Sequence, residues 1–301
     1  MRRFVNTNLT PELADHLAES VRSTRRRYRR RLELCQEKFS EKAVHDLRVE
    51  TRRLLALLDL LCALRFDDSL ADLRKAFKKR LEALGDLRDT QVQRQLLKPL
   101  WEKFPEARPF KKYLRKCEEQ LDVVAARKIG KSKFGSLNKR LKEIEQGLRS
   151  CASRTPGTGS PGPQQTLLNA AYRRVLLLRR QVQKSKPATI HRLRIAFKRF
   201  RYTAELLQPV LRGITPQTLQ RMKDFQDAAG SIQDLAVLLA RIEAAVQSEK
   251  VAPTDVKRLR QELAQCERRA TDSWMKRMDE LRNFAPAEST RISFEPEGTT
   301  R

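Results

Sequence analysis

Apolar residues recur along most of this chain at the three- and four-residue spacing of amphipathic α-helices. In residues 41–64, for example, Leu47, Leu54 and Leu61 fall on one face of a helix whose opposite face is polar. No segment carries a convincing strand pattern. We predict helices at about 11–38, 41–64, 68–84, 88–103, 106–128, 134–150, 164–184, 187–210, 215–229, 232–247 and 253–283. The predicted fold class is therefore all-α.

Local signals mark where several of these helices begin or end. Thr10 followed by Pro11 and Glu12 is typical of a helix N-terminus, with a capping hydroxyl, a first-position proline and a first-turn acid. Ser40 before Glu41 predicts a second start of the same kind.

A stretch rich in proline and glycine interrupts the helices at the middle of the chain. Residues 153–163 contain three Pro and three Gly, which excludes a helix and predicts an exposed linker. We therefore divide the chain into a first helical bundle at 1–150, a linker at 151–164, a second bundle at 165–284 and a flexible tail at 285–301.

The two halves repeat one another. The segment HDLRV at 45–49 aligns with HRLRI at 191–195, at an offset of 146 residues. Two further pairs of segments align in the same order, 84–89 with 229–234 at an offset of 145 and 28–30 with 172–174 at an offset of 144. Three ordered blocks at nearly constant offset predict two similar four-helix-type bundles related by an approximate two-fold axis.

The repeated segments place basic side chains on consecutive turns of two helices, opposite the leucine face. Like charges one turn apart destabilise a helix, so two such stripes in register indicate an anionic ligand. The alternative is a solvated face whose arginines pair with Asp59 and Glu205. The candidate anion-binding residues are His45, Arg48, Arg52 and Arg53 in the first half and His191, Arg194, Lys198, Arg199 and Arg201 in the second.

Other basic positions extend these stripes less specifically. The run at 25–31 is so dense in arginine that only part of it can face a ligand. We expect secondary contacts from Arg25, Arg26, Arg29, Arg30, Lys78, Arg173, Arg174 and Lys223.

Charge narrows the class of partner. The 301 residues include 64 Lys and Arg against 37 Asp and Glu, a net charge of +27, and basic residues predominate in both halves. Such an excess favours a polyanion, either nucleic acid, polyphosphate or an anionic membrane surface. No apolar run is long enough to span a membrane and no secretory signal is evident, so we expect a cytoplasmic protein.

The residues that carry out catalysis or hold metals are sparse. The five cysteines are widely spaced and the three histidines form no metal-binding motif, so we expect no metal, no cofactor and no disulfide. Asp89 and Asp234 recur at equivalent positions and could bind a metal, but capping of a helix or orientation of the arginines is the favoured reading. A phosphate-binding G-x-x-x-x-G-K-[ST] loop is missing, so we predict a protein that is not an enzyme.

Four ordered motifs resemble those of the CHAD family, the conserved histidine α-helical domain, over about residues 10–283. The first two are H-x-x-R-V-x-x-R-R at 45–53 and H-x-x-R-[IV]-x-x-K-R-x-R-Y at 191–202. The others are L-G-x-x-R-D at 84–89 and Q-D-x-x-G-x-x-x-D at 226–234. Leu55 departs from the pattern, because relatives often have another arginine there.

The resemblance implies two four-helix bundles with a basic groove between them that binds inorganic polyphosphate, and targeting to polyphosphate granules. Many relatives carry a fused CYTH catalytic domain, but these 301 residues contain no E-x-E-x-K motif, so binding is the implied role. The alternative is a protein that binds nucleic-acid backbones without sequence preference. Aromatic residues make up only 6% of the chain and none is interleaved through the stripes to stack bases, so nucleic acid is expected to be the weaker polyanion.

Overall fold

The computed structural model describes residues 9–64, 69–152, 163–211 and 213–286. Within these ranges every regular element is a helix, which confirms the all-α prediction. The α-helices are α1 (Pro11–Glu37), α2 (Glu41–Ala63), α3 (Leu70–Glu82), α4 (Gly85–Leu97), α5 (Arg108–Gly130), α6 (Gly135–Ala152), α7 (Pro163–Arg179), α8 (Pro187–Leu207), α9 (Pro216–Gln247) and α10 (Pro253–Lys276). Short 3-10 helices occupy Lys98–Leu100, Pro105–Ala107, Gln208–Val210 and Met278–Phe284.

Side-chain hydroxyls cap the N-termini of α1, α2 and α9, the last through Thr215. The Thr10 Oγ1 accepts a hydrogen bond from the Leu13 backbone N–H at 3.3 Å, at the start of α1. The Ser40 Oγ accepts from the Ala43 N–H at 3.3 Å, at the start of α2. Each satisfies one of the backbone donors that a helix leaves unpaired in its first turn, as the sequence signals predicted.

Two helix boundaries predicted in the C-terminal half of the chain are wrong. The helices predicted at 215–229 and 232–247 form one helix, α9, which continues through Gly230. A glycine inside a helix costs only about 1 kcal/mol relative to alanine, and burial of Ala229 and Ile232 beside it offsets that cost. The helix predicted at 253–283 instead ends at Lys276 and is followed by a 3-10 helix.

Several predictions lie outside the described residues. They concern most of the linker at 151–164, most of the tail at 285–301 and the first residue of the helix predicted at 68–84. Among the described residues, no helix combines the length and apolar character needed to cross a lipid bilayer.

The apolar side chains form three clusters rather than one per half. The first joins α1, α2, α3 and α6, and the second joins α7, α8, the first half of α9 and the end of α10. The third cluster contains residues from both halves of the chain. From the first half come Leu97, Phe104, Phe110 and Leu114, and from the second come Leu238, Ile242, Val256 and Leu259. Its presence means that the two halves share part of their core.

The two halves also meet where α2 packs against α8. Nearby, the His16 Nε2 lies 2.6 Å from the Leu206 carbonyl oxygen and therefore donates a hydrogen bond across the halves. Leu207 belongs to the first apolar cluster although it lies at the end of α8. This packing brings together the two helices that carry the basic stripes.

Substitution of Phe225 by alanine is expected to lower the free energy of unfolding by about 3–5 kcal/mol, because it removes a fully buried ring. That ring lies 4.9 Å from the ring of Phe197 and 5.4 Å from that of Trp274, between centroids. Urea denaturation followed by circular dichroism measures the change. Leu177→Ala is the control, because Leu177 is 47% exposed, and equal effects of the two substitutions would contradict the buried aromatic cluster.

Candidate anion-binding site

Arg48 lies deeper than its place on the basic stripe predicted. Only 7% of the residue is exposed, and its Nη1 donates a hydrogen bond to the Leu81 carbonyl oxygen at 2.8 Å, near the end of α3. Its Nε is buried and has no partner among the described residues. Burial, together with the charges of Arg52 and Arg88, lowers the pKa of Arg48 to about 10. The guanidinium group of Arg48 is therefore held by the Leu81 carbonyl oxygen through Nη1, while its Nε donor is unpaired in the described part of the chain.

Arg194 repeats this arrangement in the second half. It occupies the position related to Arg48 by the offset of 146 residues, and its Nε is likewise buried without a described partner. Burial lowers its pKa, and the charge of Arg52 from the other half lowers it further, while Asp234 opposes the decrease. The same donor atom is thus unused at two related positions, although buried donors are normally paired.

Lys198 lies where the basic residues of the two halves meet. Burial is the main reason that its pKa falls to about 8. The remaining decrease comes from four arginines, which are Arg52, Arg194, Arg201 and Arg48. Because two of these belong to α2 and two to α8, the stripes of the two halves converge within electrostatic range of one amino group.

We call Arg48, Arg52, Arg194 and Lys198 the cation cluster. Within the described parts of the chain, none of them forms an ion pair with a carboxylate, whereas neighbouring arginines such as Arg53, Arg88 and Arg201 do. The cluster therefore holds positive charge that the described residues do not neutralise at close range. Phosphate, sulfate and carboxylate groups are the anions that such donors bind best.

The two histidines of the stripes differ in their surroundings. His45 is exposed, and its pKa is lowered by partial burial and by the charge of Arg88, so the ring is neutral at pH 7. The His191 Nδ1 donates a hydrogen bond to the Gln233 Oε1 at 2.6 Å. The proton on Nδ1 leaves the Nε2 of neutral His191 as an acceptor, so this nitrogen can donate to an anion only when the ring is an imidazolium.

Of the two roles predicted for Asp89 and Asp234, capping of a helix is wrong, because neither residue lies at a helix end. Gly85 is the first residue of α4, which places Asp89 one turn inside the helix, and Gly230 lies in the interior of α9, which places Asp234 there too. A helix cap needs a residue at the helix terminus, and neither aspartate has that position.

Both aspartates instead act electrostatically on the basic stripes. Asp89 interacts with Arg48, and Asp234 interacts with Arg194 and also with Asp89 across the halves. Loss of hydration raises the pKa of both carboxyl groups, while the arginines oppose the increase. Among the described residues, no group of three or more His, Cys, Asp or Glu side chains is placed to hold a metal ion.

Three predicted contact residues lie outside the cation cluster, and two of them bind other side chains. The Arg53 Nη1 donates to the Glu50 Oε1 at 2.6 Å, and Glu50 is buried. Arg201 is buried too, and it donates to the Gln226 Oε1 and the Glu205 Oε2, both at 2.9 Å. Arg199 is exposed and no described contact joins it to the cation cluster.

The secondary positions are mostly on the surface or in structural pairs. Arg25 joins α1 to α6 through the Asn138 Oδ1 at 3.0 Å and the Glu145 Oε2 at 3.2 Å. Arg29 pairs with Glu33 one turn along its own helix. Lys78 does the same with Glu82. The remaining five are exposed and no described contact joins them to the cation cluster, namely Arg26, Arg30, Arg173, Arg174 and Lys223.

Arg88 is the basic residue that the choice of stripes missed. It belongs to the repeated block at 84–89, and its charge lowers the pKa of both His45 and Arg48. Its Nη1 donates a hydrogen bond to the Glu41 Oε1 at 2.9 Å. The recurrence of this block could have pointed to Arg88. The second copy, however, has the uncharged Gln233 at the related position, so the two copies do not share a basic residue there.

Comparisons with known proteins agree with this architecture. The family model described as CHAD domain matches residues 19–243. The crystal structure of the CHAD domain from the plant Ricinus communis matches with a TM-score of 0.63 and 17% sequence identity, covering 97% of this chain and 96% of that chain. PptA from Streptomyces chartreusis matches with a TM-score of 0.67 and 17% identity, covering 90% of this chain and 99% of that chain. The two structures show a common fold, and no curated protein sequence matches this one.

The affinity for a small inorganic anion such as triphosphate is expected to fall as the pH rises through about 8, the pKa of Lys198. A bound anion raises that pKa, so binding takes up a proton above pH 8 and the affinity decreases by up to about tenfold per pH unit. Isothermal titration calorimetry between about pH 7.5 and pH 9.5 measures this, in a range where an ordinary histidine is already mostly neutral. Lys198→Arg keeps the charge and should flatten the profile near pH 8. Identical profiles for the two proteins would exclude Lys198 from the site.

Proposed function

This chain belongs to the CHAD family, as its motifs predicted, and on that premise we propose that it binds inorganic polyphosphate without catalysing a reaction on it. The cation cluster of Arg48, Arg52, Arg194 and Lys198 is the observation that carries the proposal. Lys198 lies within electrostatic range of the other three cations, where α2 packs against α8, and no described carboxylate forms an ion pair with any of the four.

An anion bound at the cation cluster would stabilise it in two ways. The guanidinium groups of Arg48 and Arg194, which form no ion pair with a described carboxylate, would gain a counter-charge. The positive charges that lower the pKa of Lys198 would be balanced. Phosphate oxygens suit both roles, because guanidinium groups bind them through paired, charge-assisted hydrogen bonds.

A ligand with several phosphates fits better than a single small anion. The cluster is built from two helices, one in each half, and successive turns of a helix are about 5.4 Å apart. A chain of phosphates can contact both rows of donors at once, and the second contact is then effectively intramolecular. Polyphosphate binding is therefore expected to strengthen with chain length.

Polyphosphate is favoured over nucleic acid by the position of the aromatic rings. Phe197, Phe200 and Phe225 are buried in the second apolar cluster and are unavailable to stack on bases. The Tyr202 ring is already covered by the Arg201 guanidinium, 4.4 Å from its centroid. At the cation cluster itself, a nucleic acid would have only its backbone phosphates to offer, which gives weak and strongly salt-dependent complexes.

The role of the aspartates supports binding rather than catalysis. Asp89 and Asp234 attract Arg48 and Arg194 electrostatically, which favours a role in orienting the arginines. We also propose that the protein associates with polyphosphate granules in the cell, because it would bind the polymer of which they consist.

Labelled long-chain polyphosphate bound to the protein is expected to be displaced far more efficiently by unlabelled polyphosphate than by DNA at equal phosphate concentration. Fluorescence anisotropy at physiological salt measures the competition. Inorganic triphosphate is expected to compete poorly, because it engages one stripe at a time. Equal competition by DNA would replace the proposal with generic polyanion binding, and equal competition by triphosphate would overturn the two-stripe arrangement.

Replacement of Arg48 and Arg194 by alanine is expected to weaken long-chain polyphosphate binding by more than about tenfold, since each charged hydrogen bond contributes about 1.5–3 kcal/mol. The matched control replaces Arg127 and Lys128, which are exposed and carry the same total charge. Because Arg48 also supports the end of α3, Arg52→Ala with Lys198→Ala provides a second pair that breaks no described hydrogen bond. Equal losses in the variants and the control would show that net charge, rather than the cluster, binds the ligand.

A further inference from the structure

A cleft of about 130 Å³ opens beside the cation cluster, between α8, α9 and α10. Its wall is mostly apolar and includes Ile190, Ala229, Ile232 and Ala236. Arg194 and His191 lie along the same cleft, so one end of it reaches the candidate phosphate-binding surface. Binding sites for small organic molecules are mostly apolar clefts with a few placed polar groups, and a space of this size suits a single flat ring rather than a larger molecule.

Two small residues explain why the space is open. Ala229 and Ala236 occupy the positions that Leu84 and Gln91 hold in the first half, at the offset of 145 residues. Leu84 and Gln91 are both buried. The larger side chains thus occupy the interior in the first half, where the second half has only methyl groups.

The entrance differs between the halves as well. In the first half, the Arg88 Nη1 donates to the Glu41 Oε1 at 2.9 Å and ties the start of α2 to α4. In the second half, the related positions hold Gln233 and Pro187, which cannot form that ion pair. Gln233 instead bonds to His191, and both line the cleft.

The side chain of Thr271 supplies a polar group to the cleft. Thr271 is only 9% exposed, lines the cleft from α10, and has no hydrogen-bond partner within the described parts of the chain. Threonine hydroxyls inside helices usually bond to a carbonyl one turn back, as the Thr51 hydroxyl does to the Leu47 carbonyl oxygen at 2.7 Å. The Thr271 hydroxyl makes no such bond to a described residue and is open to the cleft, so it is suited to a ligand that brings a hydrogen-bonding edge.

We propose that this cleft takes the nucleobase of a nucleoside polyphosphate, whose phosphates bind Arg194 and extend onto the cation cluster. The apolar wall contacts the faces of the base, while Thr271 and the Gln233 amide nitrogen meet its polar edge. A base joined to phosphates matches both parts of the surface, the small apolar space and the cations at its end. The inference rests on the proposed function, because Arg194 serves both ligands.

Adenosine triphosphate is the probe, and inorganic triphosphate is its matched reference without a base. Both are titrated calorimetrically in magnesium-free buffer. Adenosine triphosphate is expected to bind about tenfold more tightly, a difference of about 1.4 kcal/mol. Charge alone would give adenosine triphosphate no advantage, because inorganic triphosphate carries at least as much negative charge.

Ala236→Gln installs the residue of the first half and is expected to remove the advantage of adenosine triphosphate while leaving inorganic triphosphate and long-chain polyphosphate unaffected. Ala240→Gln is the control, because Ala240 lies one turn further along α9 and is exposed. Thr271→Val removes only the hydroxyl and should weaken adenosine triphosphate alone, which keeps the test decisive if glutamine at 236 unfolds the protein.

The outcomes separate the two proposals. Equal binding of the two triphosphates by the unmodified protein, or equal effects of Ala236→Gln and Ala240→Gln, would overturn the nucleobase cleft and leave polyphosphate binding standing. Failure to bind long-chain polyphosphate, with adenosine triphosphate binding lost in Ala236→Gln, would overturn the proposed function and leave the cleft.

Discussion

Repulsion between like charges at the contact of α2 and α8 is the constraint that the rest of the molecule has to meet. Arg52, Arg194 and Lys198 repel one another there, and this repulsion adds to burial, which is the larger cause, in lowering the pKa of Lys198. Burial of apolar surface offsets this repulsion, because three clusters hold the helices in place whatever the charge between them. A ligand that binds the folded state alone and neutralises these cations would add directly to stability.

The sequence was informative about helices because their signal is local. Spacing of leucines predicted α2, and the hydroxyl of Thr10 predicted the start of α1. The break proposed at Gly230 was wrong because a glycine in a helix is a small local penalty, which packing on both sides outweighs. The third apolar cluster could not be predicted, since it depends on which residues far apart in the chain come together.

The stripes were predictable from the repeat, but the depth of each side chain was not. A helical wheel places Arg48 beside solvent, whereas α3 covers it in the fold. Arg53 lies on the same helix and is held instead by Glu50, whose burial depends on the neighbouring helix α1. Whether a basic residue is available to an anion is therefore decided by tertiary neighbours that its own helix does not reveal.

The shared third cluster also has a consequence for synthesis of the chain. Leu97, Phe104, Phe110 and Leu114 pack with residues of α9 and α10, which follow more than a hundred positions later. Because ribosomes add about 5–20 residues per second, these apolar side chains emerge on the order of ten seconds before their partners exist. The first half thus leaves the ribosome with an unfinished apolar surface. In the cell, that interval is when a chaperone would have to shield α4 and α5 from aggregation.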